Sequence, residues 1–490
     1  MRLSDAQMYD RFVAGDPAFD GRFFTGVATT GIYCLPSCRA KKPKRTNVRF
    51  FPTCEAAREA GFRACRKCHP DDFARGADPL LEATEALVQE IRPEPARFPD
   101  VRSIVRRIGF GTTRVFELFR QHYHATPAEI LTRARLDQAQ KLLLESAKPL
   151  AQVAHDAGYE SLSVLHAHFK TLVGMTPSAY RSLPESDRFS ITLPPGYPLP
   201  YLRRALSRDV HSVNERWAGE CYEAAVRLEG EPALLRLDFG EEKSDGIRVG
   251  VRVVAGLVEP AGRGRRPRPQ VAAYRVVRGL TGLDQDAAAF SRLARRLGFA
   301  RLVEGRPELR ISQTTSVFDG LIWAIVGQQI NLPFACLLKR RLFELAGTPL
   351  GNGLVAPPTP QAVAALTPEA LRPLQYSQKK AEYLISAAKL VAGGTLDLEG
   401  LKRGSATRAE RTLLEIHGLG PWSVNYIMMR ALGFSDCVPL GDTGVSSGLK
   451  HLFSLETRPD ADDTRRLMSI FSPHRSLATS HLWQLLQSPP

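Results

Sequence analysis

Hydrophobic and polar residues follow four different patterns along the chain. From residue 1 to about 80 the apolar runs are short and separated by turn residues. From about 81 to 184 apolar residues recur every three or four positions, which predicts amphipathic helices. Between about 188 and 304, ITLPPGYPLPYLRRAL predicts a strand, a turn and a helix, and ALLRLDF, GIRVGVRVV and AAYRVVRGL predict strands. From 305 to 490 the helical spacing returns.

These four blocks predict a multidomain protein. We expect a small α+β domain at 1–80, an all-α domain at 81–184, an α+β domain at 188–304 and an all-α domain at 305–490. The length of 490 residues supports this division, because single cores seldom grow beyond about 250–300 residues.

Composition and charge narrow the possible partners. Hydrophobic residues at 43% and charged residues at 24% exclude wholesale disorder, collagen-like repeats and disulfide scaffolds. A net charge of +15 favours a polyanionic partner, either nucleic acid or an acidic membrane surface. The first residues, MRLSDAQMYDRF, show neither the apolar run nor the cleavage site of a signal peptide, and no apolar run is long enough to span a bilayer. We therefore expect a cytoplasmic protein without a membrane partner.

Four of the eight cysteines form two tight pairs. Cys34 and Cys38 are separated by three residues, and Cys65 and Cys68 by two, with 26 residues between the pairs. Two such pairs can close one tetrahedron, and thiolates select zinc in a reducing cytosol. The sequence therefore predicts one four-cysteine Zn²⁺ site. The remaining cysteines are expected to be buried thiols: Cys54, Cys221, Cys336 and Cys437.

On spacing alone, this zinc site could be purely structural or reactive. The segment from Gly31 to Phe50 contains six basic residues and no acid. An electropositive surface beside a thiolate centre favours a role near DNA phosphates. The six are Arg39, Lys41, Lys42, Lys44, Arg45 and Arg49.

The segments TTGIYCLPSCRAKKPKRTNVRFF and AGFRACRKCHP resemble the methyl-acceptor domain of the Ada family of bacterial sensors of methylated DNA. The resemblance implies that Cys34 is both a zinc ligand and the nucleophile that accepts a methyl group from a DNA methylphosphotriester. Such a thiolate is the nucleophilic form of cysteine. The resemblance also implies four DNA-contacting residues: Thr30, Arg39, Lys41 and Arg63. Lys41 stands where the family often has Arg.

Two segments of the second block predict a helix, a glycine-centred turn and a second helix. The segment AGYESLSVLHAHFKTLVGMTPSAYR resembles the signature of AraC-type regulators. The resemblance implies a double helix-turn-helix domain whose recognition helices, Thr112–Tyr123 and Ser161–Val173, enter the major groove. The sequence departs from the family at Leu165 and Ala167, and His124 replaces the glycine usual after the first recognition helix.

The third and fourth blocks resemble AlkA-type 3-methyladenine DNA glycosylases in VFDGLIWAIVGQQINLPFA, LLEIHGLGPWSVNYIMMRALG and CVPLGDTGV. The resemblance implies a helix-hairpin-helix element at Gly418 and Gly420, where backbone N–H groups approach a phosphate. It also implies a catalytic Asp442, although a helix cap is the alternative for a single aspartate in a turn. Such a carboxylate stabilises positive charge on the sugar.

Five further residues are interpreted from the same resemblance. Trp422 replaces the lysine of lyase-bearing relatives, which implies a monofunctional glycosylase. Trp422 and Tyr426 are expected to face a flipped cationic base, with core packing as the alternative. Gln329 fills the gap left by that base. Thr443 and His474 replace an aromatic residue and a tryptophan of the family. No four-cysteine cluster follows the hairpin, so we expect no iron–sulfur cofactor.

Together these features predict a fusion of alkylation sensor, DNA-binding regulator and alkylbase glycosylase. One alternative is a transcription factor whose glycosylase half only binds DNA, and another is a glycosylase with a structural zinc module. The expected partners of a bacterial, nucleoid-associated monomer are double-stranded DNA and RNA polymerase.

Overall fold

The structure is a computed structural model and describes residues 3–16, 19–38, 40–255 and 269–487. The chain divides into two units, Met1–Leu87 and Val88–Pro490. No helix in the described part of the chain is long and apolar enough to cross a membrane.

The first unit is built on a small four-stranded sheet with strand order β3-β1-β2-β4. Strand β1 pairs antiparallel with β2 and β3, and β2 pairs parallel with β4. Phenylalanine and tyrosine side chains form the core on this sheet. The elements are α1 (Asp5–Ala14), β1 (Phe24–Val27), β2 (Ile32–Cys34), β3 (Val48–Phe51), α2 (Cys54–Glu59), β4 (Arg63–Ala64) and α3 (Pro70–Ala74), and α4 (Pro79–Ile91) follows.

The second unit begins with helices whose ends follow the predicted signals. Thr126 and Thr176 cap the helices that begin at Pro127 and Pro177, and Gly109 ends a helix in the left-handed conformation. The helix predicted at Thr112–Tyr123 is confirmed, and the helix predicted from Ser161 begins after this residue, which caps it. The helices are α5 (Val101–Ile108), α6 (Thr112–Tyr123), α7 (Pro127–Glu145), α8 (Leu150–Asp156), α9 (Leu162–His168) with a wider turn at Phe169–Val173, and α10 (Pro177–Arg181).

A five-stranded antiparallel sheet follows, with strand order β5-β9-β8-β7-β6. The strands predicted for ALLRLDF and GIRVGVRVV are confirmed, but the strand predicted for AAYRVVRGL is wrong. That segment lies in a helix because Tyr274, Val277 and Leu280 recur at intervals of three and are all buried on one face. The elements are β5 (Arg188–Leu193), α11 (Leu199–Leu206), β6 (Glu215–Ala218), β7 (Cys221–Leu228), β8 (Glu231–Lys243), β9 (Gly246–Ala255) and α12 (Pro269–Thr281).

The last block is helical apart from one short hairpin. Helix α15 is buried on nearly every side, which explains its almost continuous apolar sequence. The elements are α13 (Ala287–Arg296), α14 (Ala300–Val303), α15 (Val317–Val326), α16 (Leu332–Ala346), β10 (Thr348–Pro349), β11 (Val355–Ala356), α17 (Pro360–Ala364), α18 (Pro368–Leu371), α19 (Gln378–Ala392), α20 (Ala406–Leu414), α21 (Pro421–Ile427), α22 (Thr443–Leu452), α23 (Ala461–Met468) and α24 (Arg475–Leu485).

Two hydrophobic cores organise the second unit. One combines the second helix-turn-helix with the inner face of the five-stranded sheet, from Leu136 to Leu283. The other extends from Phe290 to Leu482 and includes α15, α21, α22 and α24. The second helix-turn-helix and the sheet therefore pack as one body.

Candidate functional site

The paired cysteines of the first unit lie where strands β2 and β4 run side by side. The N–H groups of Arg63 and Cys65 donate to the carbonyl oxygens of Gly31 and Tyr33, at 2.8 and 3.0 Å. This parallel pairing brings the end of β2, with Cys34, next to the turn that carries Cys65. Residues that are 31 positions apart thus contribute to one site.

The four sulfur atoms of Cys34, Cys38, Cys65 and Cys68 lie within 4.8 Å of one another. Zinc–sulfur bonds of about 2.3 Å in a tetrahedron place sulfurs roughly 3.8 Å apart, so this set fits one Zn²⁺. Cys34 is only 4% exposed, whereas Cys68 is partly exposed. The four-cysteine zinc site predicted from the spacing is confirmed.

The surroundings of the sulfurs favour bound metal. Without a cation, the Cys38 and Cys65 sulfurs and burial raise the pKa of the Cys34 thiol, so its thiolate needs a positive charge nearby. The backbone N–H of Leu35 donates to Cys68 Sγ at 3.4 Å. Lys42 Nζ donates to the Cys38 carbonyl oxygen at 2.6 Å, and burial lowers the pKa of this lysine.

Three of the four predicted DNA-contacting residues of this unit are described. Thr30, Lys41 and Arg63 are all exposed, Thr30 in the turn after β1 and Arg63 at the start of β4. Arg39 lies outside the described residues. The exposure of the three leaves their side chains accessible to a phosphate.

In the second unit, Asp442 is held by three N–H donors. Its Oδ1 accepts from the Val445 backbone at 2.9 Å and from Trp483 Nε1 at 2.9 Å, and its Oδ2 accepts from Trp422 Nε1 at 3.2 Å. Asp442 is therefore the N-cap of α22, as the alternative interpretation expected, and is also bound by two indoles. A carboxylate that only capped a helix would not need the two indoles.

Gly444 makes room for this arrangement. A Cβ atom at Gly444 would lie 2.8 Å from Trp483 Cδ1 and 3.1 Å from Asp442 Oδ1. Real Cβ atoms essentially never show a contact of 2.8 Å, and a contact of 3.1 Å would require a neighbouring atom to move. The glycine in the first turn of α22 therefore allows the Trp483 ring to reach the carboxylate.

Aromatic rings surround the carboxylate. The rings of Trp422 and Tyr426 stack with centroids 5.4 Å apart and planes 26° apart, and Trp483 lies 6.3 Å from Tyr426. Trp323 Nε1 donates to the Tyr426 hydroxyl at 2.9 Å. Three of the four tryptophans in the chain thus meet here. Tyr426 is buried, whereas Trp422 keeps part of its surface exposed.

The hairpin between α20 and α21 brings two glycines to the surface near this cluster. Gly418 has φ +90°, and a Cβ there would overlap the Tyr383 ring. Gly420 is exposed and precedes α21, whose first N–H groups have no intrahelical acceptor. Gln328 Nε2 fixes the hairpin by donating to the Gly418 carbonyl oxygen at 2.8 Å.

Gln329 lies on the loop after α15 and is exposed with φ +56°, a conformation that few residues other than glycine adopt. Lys380 Nζ braces the same loop by donating to the carbonyl oxygens of Val326 and Gln328, at 2.5 and 2.7 Å. Burial lowers the pKa of Lys380 to about 8. The exposed Gln329 side chain thus projects from a fixed backbone.

The two helix-turn-helix units present different surfaces. Helix α9 exposes Leu162 and Val164 together with Ser163, so its first turn presents both apolar and polar side chains. Helix α6 packs against α20 of the last block, where His122 Nδ1 lies 2.9 Å from Thr407 Oγ1. Helix α6 is therefore attached to α20, the helix that precedes the hairpin.

His124, which replaces the usual glycine, explains part of this attachment. It ends α6 with φ +53° and accepts at Nδ1 from the Asp436 N–H at 3.2 Å, while its carbonyl oxygen accepts from Ser435 Oγ at 2.9 Å. Arg475 clamps the Asp436 carboxylate with two bonds of 2.8 and 2.9 Å. Burial lowers the pKa of His124 to about 4, which keeps its ring neutral.

Sequence reasoning missed Trp483, Trp323 and the role of His124. Trp483 lies 41 residues from Asp442 in the chain, and only the packing of α22 on α24 brings them together. The rarity of tryptophan was the one available signal. Of the two departures near the site, Thr443 begins α22 and is exposed, and His474 lies against Phe290.

Family models match three segments of the chain. The model "Metal binding domain of Ada" matches residues 7–71, "Helix-turn-helix domain" matches 104–182, and "HhH-GPD superfamily base excision DNA repair protein" matches 322–473. The matched segments contain the four cysteines, helices α6 and α9, and Asp442 with Trp323, Trp422 and Tyr426, whereas Trp483 lies beyond the last segment.

Relatives cover different parts of the chain. A Bacillus subtilis "DNA-3-methyladenine glycosylase" is 34% identical over 42% of this chain and 69% of its own length. A Mycobacterium tuberculosis "Probable bifunctional transcriptional activator/DNA repair enzyme AlkA" is 27% identical over 98% of this chain and 96% of its own length. The Salmonella typhimurium "Regulatory protein ada" is 31% identical over 36% of this chain and 50% of its own length.

Proposed function

Because the chain belongs to the family of DNA-3-methyladenine glycosylases, we propose that it excises alkylated bases of the 3-methyladenine type from DNA. The observation that carries this proposal is the Asp442 carboxylate, held by two indole N–H groups beside the stacked rings of Trp422 and Tyr426. The site thus combines a fixed negative charge with the faces of aromatic rings.

The two components act on the two halves of the bond that breaks. An alkylated purine in DNA is cationic, so the faces of Trp422 and Tyr426 attract it once it is flipped out of the helix. The glycosidic electron pair leaves with the base, which becomes neutral, and positive charge develops on the sugar. Asp442 stabilises that charge, and water then adds to the sugar carbon and releases a proton. No amine acts as nucleophile, so the proposed reaction is monofunctional.

DNA binding in this half is assigned to Gly418, Gly420 and Gln329. The backbone N–H groups of Trp422 and Ser423, in the first turn after Gly420 and Pro421, suit a backbone phosphate, and Gln329 would fill the space of the flipped base. Purified protein should release free 3-methyladenine from methylated duplex DNA. Borohydride should trap no covalent adduct, and a trapped adduct would contradict the monofunctional assignment.

We further propose that Cys34 accepts a methyl group from a DNA methylphosphotriester. The Cys34 sulfur attacks the methyl carbon, the carbon–oxygen bond breaks, and the phosphodiester leaves with the electron pair. Bound Zn²⁺ keeps the thiols deprotonated at neutral pH. Thr30, Arg39, Lys41 and Arg63 would contact the flanking phosphates. Mass spectrometry of the cysteine peptides after reaction tests this, and methyl on Cys68 instead would reassign the acceptor.

We propose that in the cell this protein regulates the adaptive response. It would bind promoter DNA through α6 and α9 and act with RNA polymerase. The proposed domains are 1–80, 81–184, 188–304 and 305–490. We also propose a monomer located in the bacterial cytoplasm at the nucleoid. Footprinting on the chain's own promoter, with and without prior methylation, tests the regulatory role.

A further inference from the structure

One row of charged side chains crosses all five strands of the β5–β9 sheet. The row lies on the face opposite the core formed with α11 and α12, because alternate strand residues point to opposite faces. The strand register makes direct neighbours, in order, of Arg188, Arg252, Arg236, Glu223 and Arg216. Four arginines thus share this row with one glutamate.

Among the described residues, Glu223, the one glutamate of the row, forms ion pairs only with the arginines next to it. Glu223 is buried and pairs with Arg216 at 2.7 Å and with Arg236 at 2.7 Å. Arg188 and Arg252 are exposed and form no ion pair within the described ranges. Like charges directly opposite each other on adjacent strands destabilise a sheet. The pairing of Arg188 with Arg252 therefore lowers the stability of the sheet, and a function in binding would explain it.

A trough runs beside the row. On the same face, two residues further along each strand, the side chains are mostly small and form a low floor. The trough above this floor has a volume of about 670 Å³. Asp238 is the acid of this floor, and Cys221, which was expected to be buried, is partly exposed there. The other floor residues are Ser190, Gly250 and Ala218.

We propose that this trough binds the phosphate backbone of duplex DNA outside the lesion. Arg188, Arg252 and Arg236 stand on three adjacent strands, within about 10 Å at roughly 4.8 Å per strand. Duplex DNA presents about six negative charges over that length of its axis, so the charges are complementary. The inference rests on the proposed action of the protein on DNA.

The trough is suited to a backbone and not to bases. Phe189 is the one aromatic residue among those lining it, and its ring lies 6.3 Å from Tyr274, which is buried in the core below the sheet. Base recognition in single strands depends on exposed rings for stacking. Arginines over a floor of small residues bind phosphates without reading sequence.

The test uses the full chain and an undamaged duplex of about 40 base pairs, with affinity measured by fluorescence anisotropy at several salt concentrations. The double variant Arg188→Thr/Arg252→Thr keeps strand propensity and removes the two unpaired charges. We expect about tenfold weaker binding at low salt and a salt slope smaller by about 1.8, or 0.9 per phosphate contact.

Two controls separate this role from a structural one. Arg466→Ala/Lys389→Ala removes two positive charges from α23 and α19 and should change the salt slope little. Arg188→Lys/Arg252→Lys keeps the charges and should keep the slope. Thermal unfolding of the threonine variant should occur at the same or a higher temperature, because charge repulsion is removed. A lower unfolding temperature with unchanged DNA binding would assign the arginines a structural role.

Two further outcomes would overturn the inference. One is an unchanged affinity and slope in the threonine variant. The other is loss of binding to poly-glutamate with DNA binding intact, which would assign the trough to an acidic protein. Failure of the proposed function would appear separately, as absence of base release by the wild-type protein.

Discussion

The two reactive centres hold their nucleophilic or stabilising atoms by opposite means. In the first unit, four sulfur atoms of like charge crowd within 4.8 Å. In the second unit, one carboxylate is surrounded by neutral N–H donors from Val445, Trp422 and Trp483. The sulfur cluster cannot remain charged without a cation, whereas the carboxylate is stabilised by the protein alone.

This difference predicts that the two centres depend on different factors, the first on bound metal and the second on helix packing. Metal supplies folding energy in small thiolate sites, so the first centre should fail as a unit when zinc is removed. The second depends on the rigid packing of α22 and α24. The two activities should therefore respond to separate perturbations.

The largest effect is expected for the zinc centre. Cys34→Ser removes the proposed nucleophile and should abolish methyl transfer from methylphosphotriesters, and a chelator should do the same to the wild type. Base release should stay within about twofold in both cases, because Asp442 has no metal requirement. Methyl counting on radiolabelled DNA measures the first activity. Cys336→Ser, a buried thiol of the second unit, is the matched control.

Asp442→Asn should lower release of 3-methyladenine by about 10²-fold or more, because it removes the charge that stabilises the sugar cation. Binding to DNA should persist. Asp460→Asn is the control, since Asp460 caps α23 through the same type of bond. Similar losses in both variants would mean that Asp442 acts only as a helix cap.

Trp483→Phe should slow base release by about tenfold, the effect of losing one hydrogen bond to a charged group. Affinity for a lesion duplex should change less than the rate. Trp217→Phe, on the sheet beside Arg203, is the control. An unchanged rate in Trp483→Phe would show that Trp422 and the backbone suffice to hold the carboxylate.

The smallest effect concerns the bond between α6 and the last block. Burial lowers the pKa of His124 to about 4 in the folded protein, whereas the ordinary value for histidine is 6.5. The unfolded state therefore binds more protons between these values, and the contact weakens as pH falls from 6.5 to 4. Asp436 opposes this shift in pKa, while Arg475 and His122 favour it.

Hydrogen exchange at the Asp436 amide reports this bond directly. Its protection, corrected for intrinsic exchange, should fall about tenfold between pH 6.5 and about 5.2, which corresponds to about 1.4 kcal/mol. The Cys437 amide donates to Ser476 Oγ and should not respond. His124→Asn tolerates the left-handed backbone and should lose the pH dependence. Equal pH dependence in this variant would exclude His124 as its source.

The same contrast explains what could be predicted from sequence. The zinc ligands were predicted completely because each pair lies within one turn and thiolate chemistry restricts the metal. Asp442, Trp422 and Tyr426 were brought together as expected, since they lie within 20 residues. Trp483 was not predicted, because its contact with Asp442 arises only from helix packing. The segment AAYRVVRGL predicts a strand because its adjacent valines, Val276 and Val277, favour strands, but the burial of one helical face decides the structure.

Methyl transfer and base release are proposed for two separate reactive centres of one chain. The direct test incubates wild-type protein with methylated duplex DNA, with and without a zinc chelator, and measures released bases and the mass of the Cys34 peptide in the same sample. Two independent centres should release 3-methyladenine in both samples and add one methyl group to Cys34 only in the sample without chelator. An unmodified Cys34 peptide together with base release would reduce the first centre to a structural zinc site and contradict the claim.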